Sequence, residues 1–189
     1  MESPQIVLLQ LTRVFDTLGI DYVVVGSFAS SIHGEYRATG DIDIVAALGH
    51  ENVDSLVAAF KKDFYVDDLS IRRAITEGRS FNIIHLTAIF KVDIFLPATD
   101  LGKQQLLRRQ RHKLDPSASQ EIWVATAEDT IIAKLHWYHI GNEVSEPQWR
   151  DVGGIIGTLG AELDSDYLRY WADLLGLRSL LERAFHESE

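Results

Sequence analysis

Six residues, Asp41-Ile42-Asp43-Ile44-Val45-Ala46, restrict the fold of this chain more than any other stretch. Acidic and apolar residues alternate with a period of two, the pattern of a β-strand that buries one face. Asp41 and Asp43 therefore project together while Ile42 and Ile44 enter a core. Two adjacent carboxylates repel, and each has its pKa raised unless a cation or a hydrogen-bond donor intervenes. A divalent metal is the simplest such partner, because hard oxygen ligands suit Mg2+ or Mn2+. A solvated polar face on an edge strand would produce the same tetrapeptide, so its neighbours have to decide.

Two neighbours bear on it. Val23-Val24-Val25-Gly26-Ser27 reads as a strand running into a turn, with 13 residues between Ser27 and Asp41. Gly26 permits close backbone approach to a ligand, and Ser27 brings a hydroxyl and an N–H to a helix start, where phosphate binds readily. A plain tight turn is the other reading. Further on, Lys91-Val92-Asp93-Ile94-Phe95 places Asp93 between apolar neighbours in a strand expected to be well buried. A buried Asp is rare unless paired or metal-bound. Lys91 or a backbone donor would satisfy it singly; alternatively, Asp41, Asp43 and Asp93 on neighbouring strands form one device beside a phosphate turn.

The Gly26-Ser27 turn, the 13-residue gap, Asp41-Ile42-Asp43-Ile44 and Asp93 together resemble the signature of the nucleotidyltransferase superfamily with its DNA polymerase β-like fold. The pattern covers residues 22–96. That superfamily includes the minimal nucleotidyltransferases, and Ile132-Ala133-Lys134-Leu135 with Trp149-Arg150-Asp151-Val152 is similar to the lysine and Arg-Asp motifs of the AbiEii-type bacterial nucleotidyltransferases, which include toxin components of some toxin–antitoxin systems. Where that branch often carries a second Asp, this chain has Gly153 and Gly154. The resemblance implies two Mg2+ or Mn2+ ions on Asp41, Asp43 and Asp93, with Asp93 as base or ligand. It implies a nucleoside triphosphate such as ATP held by Gly26, Ser27 and Lys134, and assistance from Asp151. Arg37, four residues before Asp41, either reaches the triphosphate or acceptor or balances the acidic strand from the surface. Thr39 is placed to hydrogen-bond near Asp41.

The implied activity is transfer of a nucleotide to an acceptor (RNA such as tRNA, a protein or a small molecule) with release of pyrophosphate. Three other readings remain: a toxin–antitoxin component that works by binding an antitoxin protein, a catalytically inactive nucleotide-binding module of the same fold, and an unrelated hydrolase using the same acids.

Periodicity expects helices at Pro4–Leu18, 28–33, 50–60 and 101–112, and strands at Tyr22–Val25, Asp41–Ala46, 81–85, 88–96 and Glu121–Val124. Beyond Thr126, which resembles a helix cap, helices are expected through residues 148–158, 164–175 and 178–186. This is an α+β chain: a nucleotidyltransferase-like mixed β-sheet flanked by helices over residues 1–114, a linker at 114–120, and a mainly helical domain over 121–189.

Composition removes other classes. Acids outnumber bases 28 to 18, a net charge of −10, which excludes coating nucleic acid by bulk electrostatics. Lys103, Arg108, Arg109, Arg111 and Lys113 nevertheless put five positive charges and no acid into eleven residues. That segment is either a local footprint for an RNA acceptor or a solvated helix face. Cysteine is absent, so disulfides, thiolate zinc sites and cysteine nucleophiles are excluded. No apolar run is long enough to cross a membrane, and the N-terminus lacks a secretory pattern, so a cytoplasmic protein is expected. Asp41→Ala and Asp43→Ala should each abolish NTP-dependent labelling while leaving the circular dichroism spectrum and thermal transition intact; full retained activity would exclude the catalytic reading.

Overall fold

The computed structural model describes residues 3–114 and 120–188. The linker expected at 114–120 therefore lies, over 115–119, outside the described residues. The chain opens with helix α1 (Pro4–Leu18), which has Pro at its start and is closed by Gly19 at φ 65°. Strand β1 (Tyr22–Val25) runs into α2 (Gly26–His33), and β2 (Asp41–Ala46) follows. A 3₁₀ turn at His50–Asn52 leads to α3 (Val53–Phe60). Next come β3 (Phe64–Tyr65), α4 (Asp68–Glu77), β4 (Ser80–His85), β5 (Phe90–Phe95), α5 (Asp100–Arg108), β6 (Gln110–Lys113) and β7 (Glu121–Val124). Four helices complete the chain: α6 (Ala127–Ile140), α7 (Glu146–Leu159), α8 (Ser165–Leu174) and α9 (Arg178–Glu187).

By contacts the residues form two units. One runs to Val25 and resumes over Thr39–Ala125; the other takes Gly26–Ala38 and the chain from Thr126 onward. The first unit holds a seven-stranded sheet in the order β3-β4-β5-β2-β1-β7-β6. It is mixed: β2 pairs β5 in parallel and β1 pairs β7 in parallel, while the other neighbours are antiparallel. One face carries Ile42, Ile44, Val92 and Ile94, all fully buried. Against that side α1 and α3 set Phe15 and Phe60, with the Phe15 ring stacked on Tyr22 at 5.4 Å and edge-on to Phe60 at 5.9 Å. On the other face α5 packs Leu106 into a cluster with Val23, Val25, Val45 and Ala125. Asp41, Asp43 and Asp93 share that second face and are half-buried.

The second unit is all helix. Its α6 buries Ile131, Ile132 and Leu135 but also Asp129, Thr130 and Lys134, so it is enclosed on most sides. The Thr126 side chain caps it by accepting from the Asp129 N–H. The end of α2 meets α7 at van der Waals distance between backbones. A Cβ on Gly34 would lie 2.7 Å from the Ile155 nitrogen and 2.8 Å from the Gly154 carbonyl carbon. A Cβ on Gly154 would meet Glu35 at 3.5 Å, an ordinary contact, so the position that requires glycine at this crossing is Gly34.

Two expectations are corrected. The basic helix over 101–112 ends at Arg108, and residues from Gln110 form edge strand β6, hydrogen-bonded to β7 with Arg111 opposite Trp123. Gln, Leu and Arg favour helix locally, but β7 supplies a ladder that local propensity does not register. The short strand β3 and the Asp67-capped α4 were not anticipated. Gly34→Ala is expected to lower stability by about 1–3 kcal/mol, because backbone cannot yield as a side chain does; a urea midpoint that falls at constant slope would register it.

Candidate functional site

In the sheet unit, register builds the acidic cluster. The β2–β5 pairing sets Asp41 opposite Lys91 and Asp43 opposite Asp93, and β1 sets Val25 opposite Asp43. Parallel neighbours point the same way, so three carboxylates and one ammonium share a small area of one face. One oxygen from each of Asp41, Asp43 and Asp93 lies within 4.8 Å of the others. Hard anionic oxygens at that separation fit one Mg2+ or Mn2+, or a pair of ions about 3.5–4 Å apart. The Thr39 hydroxyl donates to Asp41 Oδ1 at 2.8 Å. Lys91 Nζ lies 2.7 Å from Asp93 Oδ2. The hydrogen bond to Asp93, opposed by desolvation and reinforced by the charges of Asp93, Asp41 and Asp43, holds the Lys91 ammonium above the usual lysine range.

In the helical unit, a second cluster joins Ser27, Arg37, Lys134 and Asp151. Asp151 on α7 accepts from Arg37 Nε at 3.1 Å and Nη2 at 3.2 Å, a forked pair. Lys134 Nζ on α6 approaches the same carboxylate at 2.7 Å, and both side chains are only 5% exposed. Arg37 Nη2 also donates to Ser27 Oγ at 2.7 Å, and Lys134 donates to Gln148 Oε1 at 3.1 Å. Burial by itself would push the Asp151 carboxyl up; the hydrogen bonds and charges of Arg37 and Lys134 outweigh it and hold the group below the usual carboxylate range. Two cations on one anion leave the cluster with a net positive charge at the first turn of α2, which starts at Gly26 with φ 62°. An anion is the natural ligand of such a turn.

Sequence reasoning missed Ser30, whose hydroxyl reaches Asp151 Oδ2 at 3.1 Å. Its signal was the three-residue step from Ser27 in a helix, which aligns the two on one face. Lys91 satisfies Asp93 and also stands opposite Asp41 in the strand register, which the sequence does not disclose. Of the five basic residues, Lys103 pairs with Asp100, while Arg109 and Arg111 lie over the Trp123 ring at 4.8 and 4.1 Å. Arg109 further donates to Asp21 and to the Leu106 carbonyl.

No family model and no curated protein matches this sequence. Solved structures do. An antigenic nucleotidyltransferase-like protein from Paracoccidioides brasiliensis is 19% identical, with a TM-score of 0.58 over 96% of this chain and 91% of that one. The antibiotic-resistance factor ANT(2'')-Ia is 13% identical in its solution structure, with a TM-score of 0.59 over the whole of both chains. Its crystal structure in complex with adenylyl-2''-tobramycin gives 12% identity and a TM-score of 0.54 over 94% of this chain and 99% of that one. The fold is nucleotidyltransferase-like. Among the described residues no helix is long and apolar enough to cross a membrane.

Because the folded Asp151 carboxyl titrates below its unfolded value of about 3.9, its stabilisation is complete at neutral pH and is lost as pH falls through the folded pKa. Asp151→Asn should flatten the acid limb of the stability–pH curve in thermal melts and remove roughly 3–5 kcal/mol at neutral pH by leaving Lys134 buried without a counter-charge.

Proposed function

We propose that this chain is a metal-dependent nucleotidyltransferase. The observation that carries the reading is the convergence of Asp41, Asp43 and Asp93, with oxygens within 4.8 Å of one another, in a nucleotidyltransferase-like fold. Those three side chains would hold Mg2+ or Mn2+, as two ions, which when bound supply neutralisation of phosphate charge and a lowered pKa of the acceptor hydroxyl. Gly26 and Ser27 would bind the triphosphate through freed N–H groups and the hydroxyl, with Arg37 and Lys134 adding positive charge and Asp151 fixing both cations. The acceptor hydroxyl would pass its proton to Asp93. Its oxygen bonds to the α-phosphorus as the bond to the bridging oxygen breaks, and pyrophosphate leaves. Residues 1–114 as catalytic domain and 121–189 as helical domain belong to this reading.

The adenylyl-tobramycin complex of ANT(2'')-Ia supports ATP as donor and a small-molecule hydroxyl as acceptor. The engagement of Lys103 by Asp100 and of Arg109 by Asp21 leaves fewer uncompensated charges for an RNA end. Kinship with the AbiEii-type branch, and with it an antitoxin partner, rests on the Lys134 and Asp151 motifs alone. Each α-labelled NTP should be incubated with the protein, Mg2+ and either hydroxylated small molecules or total RNA. Label transferred with release of pyrophosphate is expected, strongest for ATP with small molecules. Free phosphate in its place would indicate a hydrolase, and no consumption of any NTP would overturn the reading.

A further inference from the structure

The carboxylate face carries a base as well as three acids, and its placement is specified by register. Lys91 stands opposite Asp41, and Asp93 stands opposite Asp43, so the four positions form a square on two adjacent parallel strands. Lys91 and Asp93 are two apart on β5 and therefore share a face. The ammonium lies 2.7 Å from Asp93 Oδ2, on the carboxylate that faces Asp43 across the strand pair. Like charges directly opposite destabilise a sheet, and a cation at this point relieves them.

We propose that Lys91 is the internal counter-cation of the cluster, seated on Asp93 in the metal-free protein and displaced when a divalent ion enters. The inference rests on the reading of Asp41, Asp43 and Asp93 as metal ligands, and adds to it a residue that sets how readily the ion binds. Two properties suit Lys91 to this role. Its side chain is 51% exposed, against 19% for Asp93, so the ammonium can swing into solvent while the carboxylate stays in place. A lysine is a compact point charge on a flexible stem, unlike a forked guanidinium that locks to a carboxylate. An ion bound to the cluster and an ammonium bound to Asp93 Oδ2 would be like charges on one carboxylate, so each weakens the other. Once displaced, the ammonium remains tethered to the same face, where phosphate charge is expected.

A surface Lys–Asp pair with no such role would leave metal binding unchanged when removed, and this separates the two explanations. Mn2+ titration of the full chain without nucleotide, followed by calorimetry and by electron paramagnetic resonance of free Mn2+, reads the affinity directly. Lys91→Met should bind Mn2+ about tenfold tighter than the unaltered protein, a change of the size one neighbouring charge produces at a partly buried site. Lys91→Gln is the second variant should Met perturb folding, and circular dichroism checks both. Asp41→Asn should reduce binding in either background. Mn2+ affinity that is unchanged or weaker in folded Lys91 variants would overturn the inference while leaving the metal reading in place. Absence of Mn2+ binding in the unaltered protein and in the variants alike would overturn the metal reading, and the inference with it.

Discussion

Asp43 and Asp93 face each other across neighbouring parallel strands, at a spacing of about 4.8 Å between backbones, where two like charges oppose pairing. The sheet accepts this because the same register sends Ile42, Ile44, Val92 and Ile94 into a fully buried layer on the reverse face. A slip of one residue would exchange the two faces, exposing the isoleucines and burying the carboxylates, so apolar burial enforces the acidic juxtaposition. The α1–α3 aromatic packing and the α5 cluster both depend on that register. Lys91, 2.7 Å from Asp93 Oδ2, lowers the electrostatic cost of the arrangement.

The helical unit solves a different problem. It buries an acid and a base together on α6 and α7, and adds Arg37 from the segment that follows α2. A buried pair of this kind contributes little to stability relative to apolar packing, but it fixes geometry, since breaking it strands a charge. Asp151 is accordingly an anchor in this structure: its two oxygens receive Arg37, Lys134 and Ser30. The close crossing of α2 and α7 is held at Gly34, where a Cβ would lie 2.7 Å from the Ile155 nitrogen.

Much of this was legible in advance, and the pattern of what was not is informative. The bounds of α1, β1, β2 and β7 followed from periodicity and from glycine and proline signals, because each of these segments carries its own amphipathic or β-branched pattern. The basic stretch misled, since an edge strand of Gln110, Arg111, His112 and Lys113 has no apolar alternation and exists only because β7 offers it hydrogen bonds. The three clustered acids were recognisable by their spacing and strand context. The mutual engagement of Ser27, Ser30, Arg37, Lys134 and Asp151 was not, for it joins residues as far as 121 positions apart and no local rule encodes such a contact.

The sequence by itself determined that a strand with alternating acids exists, that a glycine-serine turn precedes it, and that another acid sits in a later strand, because period-two patterning and residue chemistry are local properties. Only the tertiary structure decided which strands are neighbours and in what register, and therefore that Asp43 meets Asp93 and Lys91 meets Asp41. It also decided that Arg37 and Lys134 share one carboxylate. Strand order and helix packing are set by the joint burial of many apolar side chains, a collective free energy that no single segment contains.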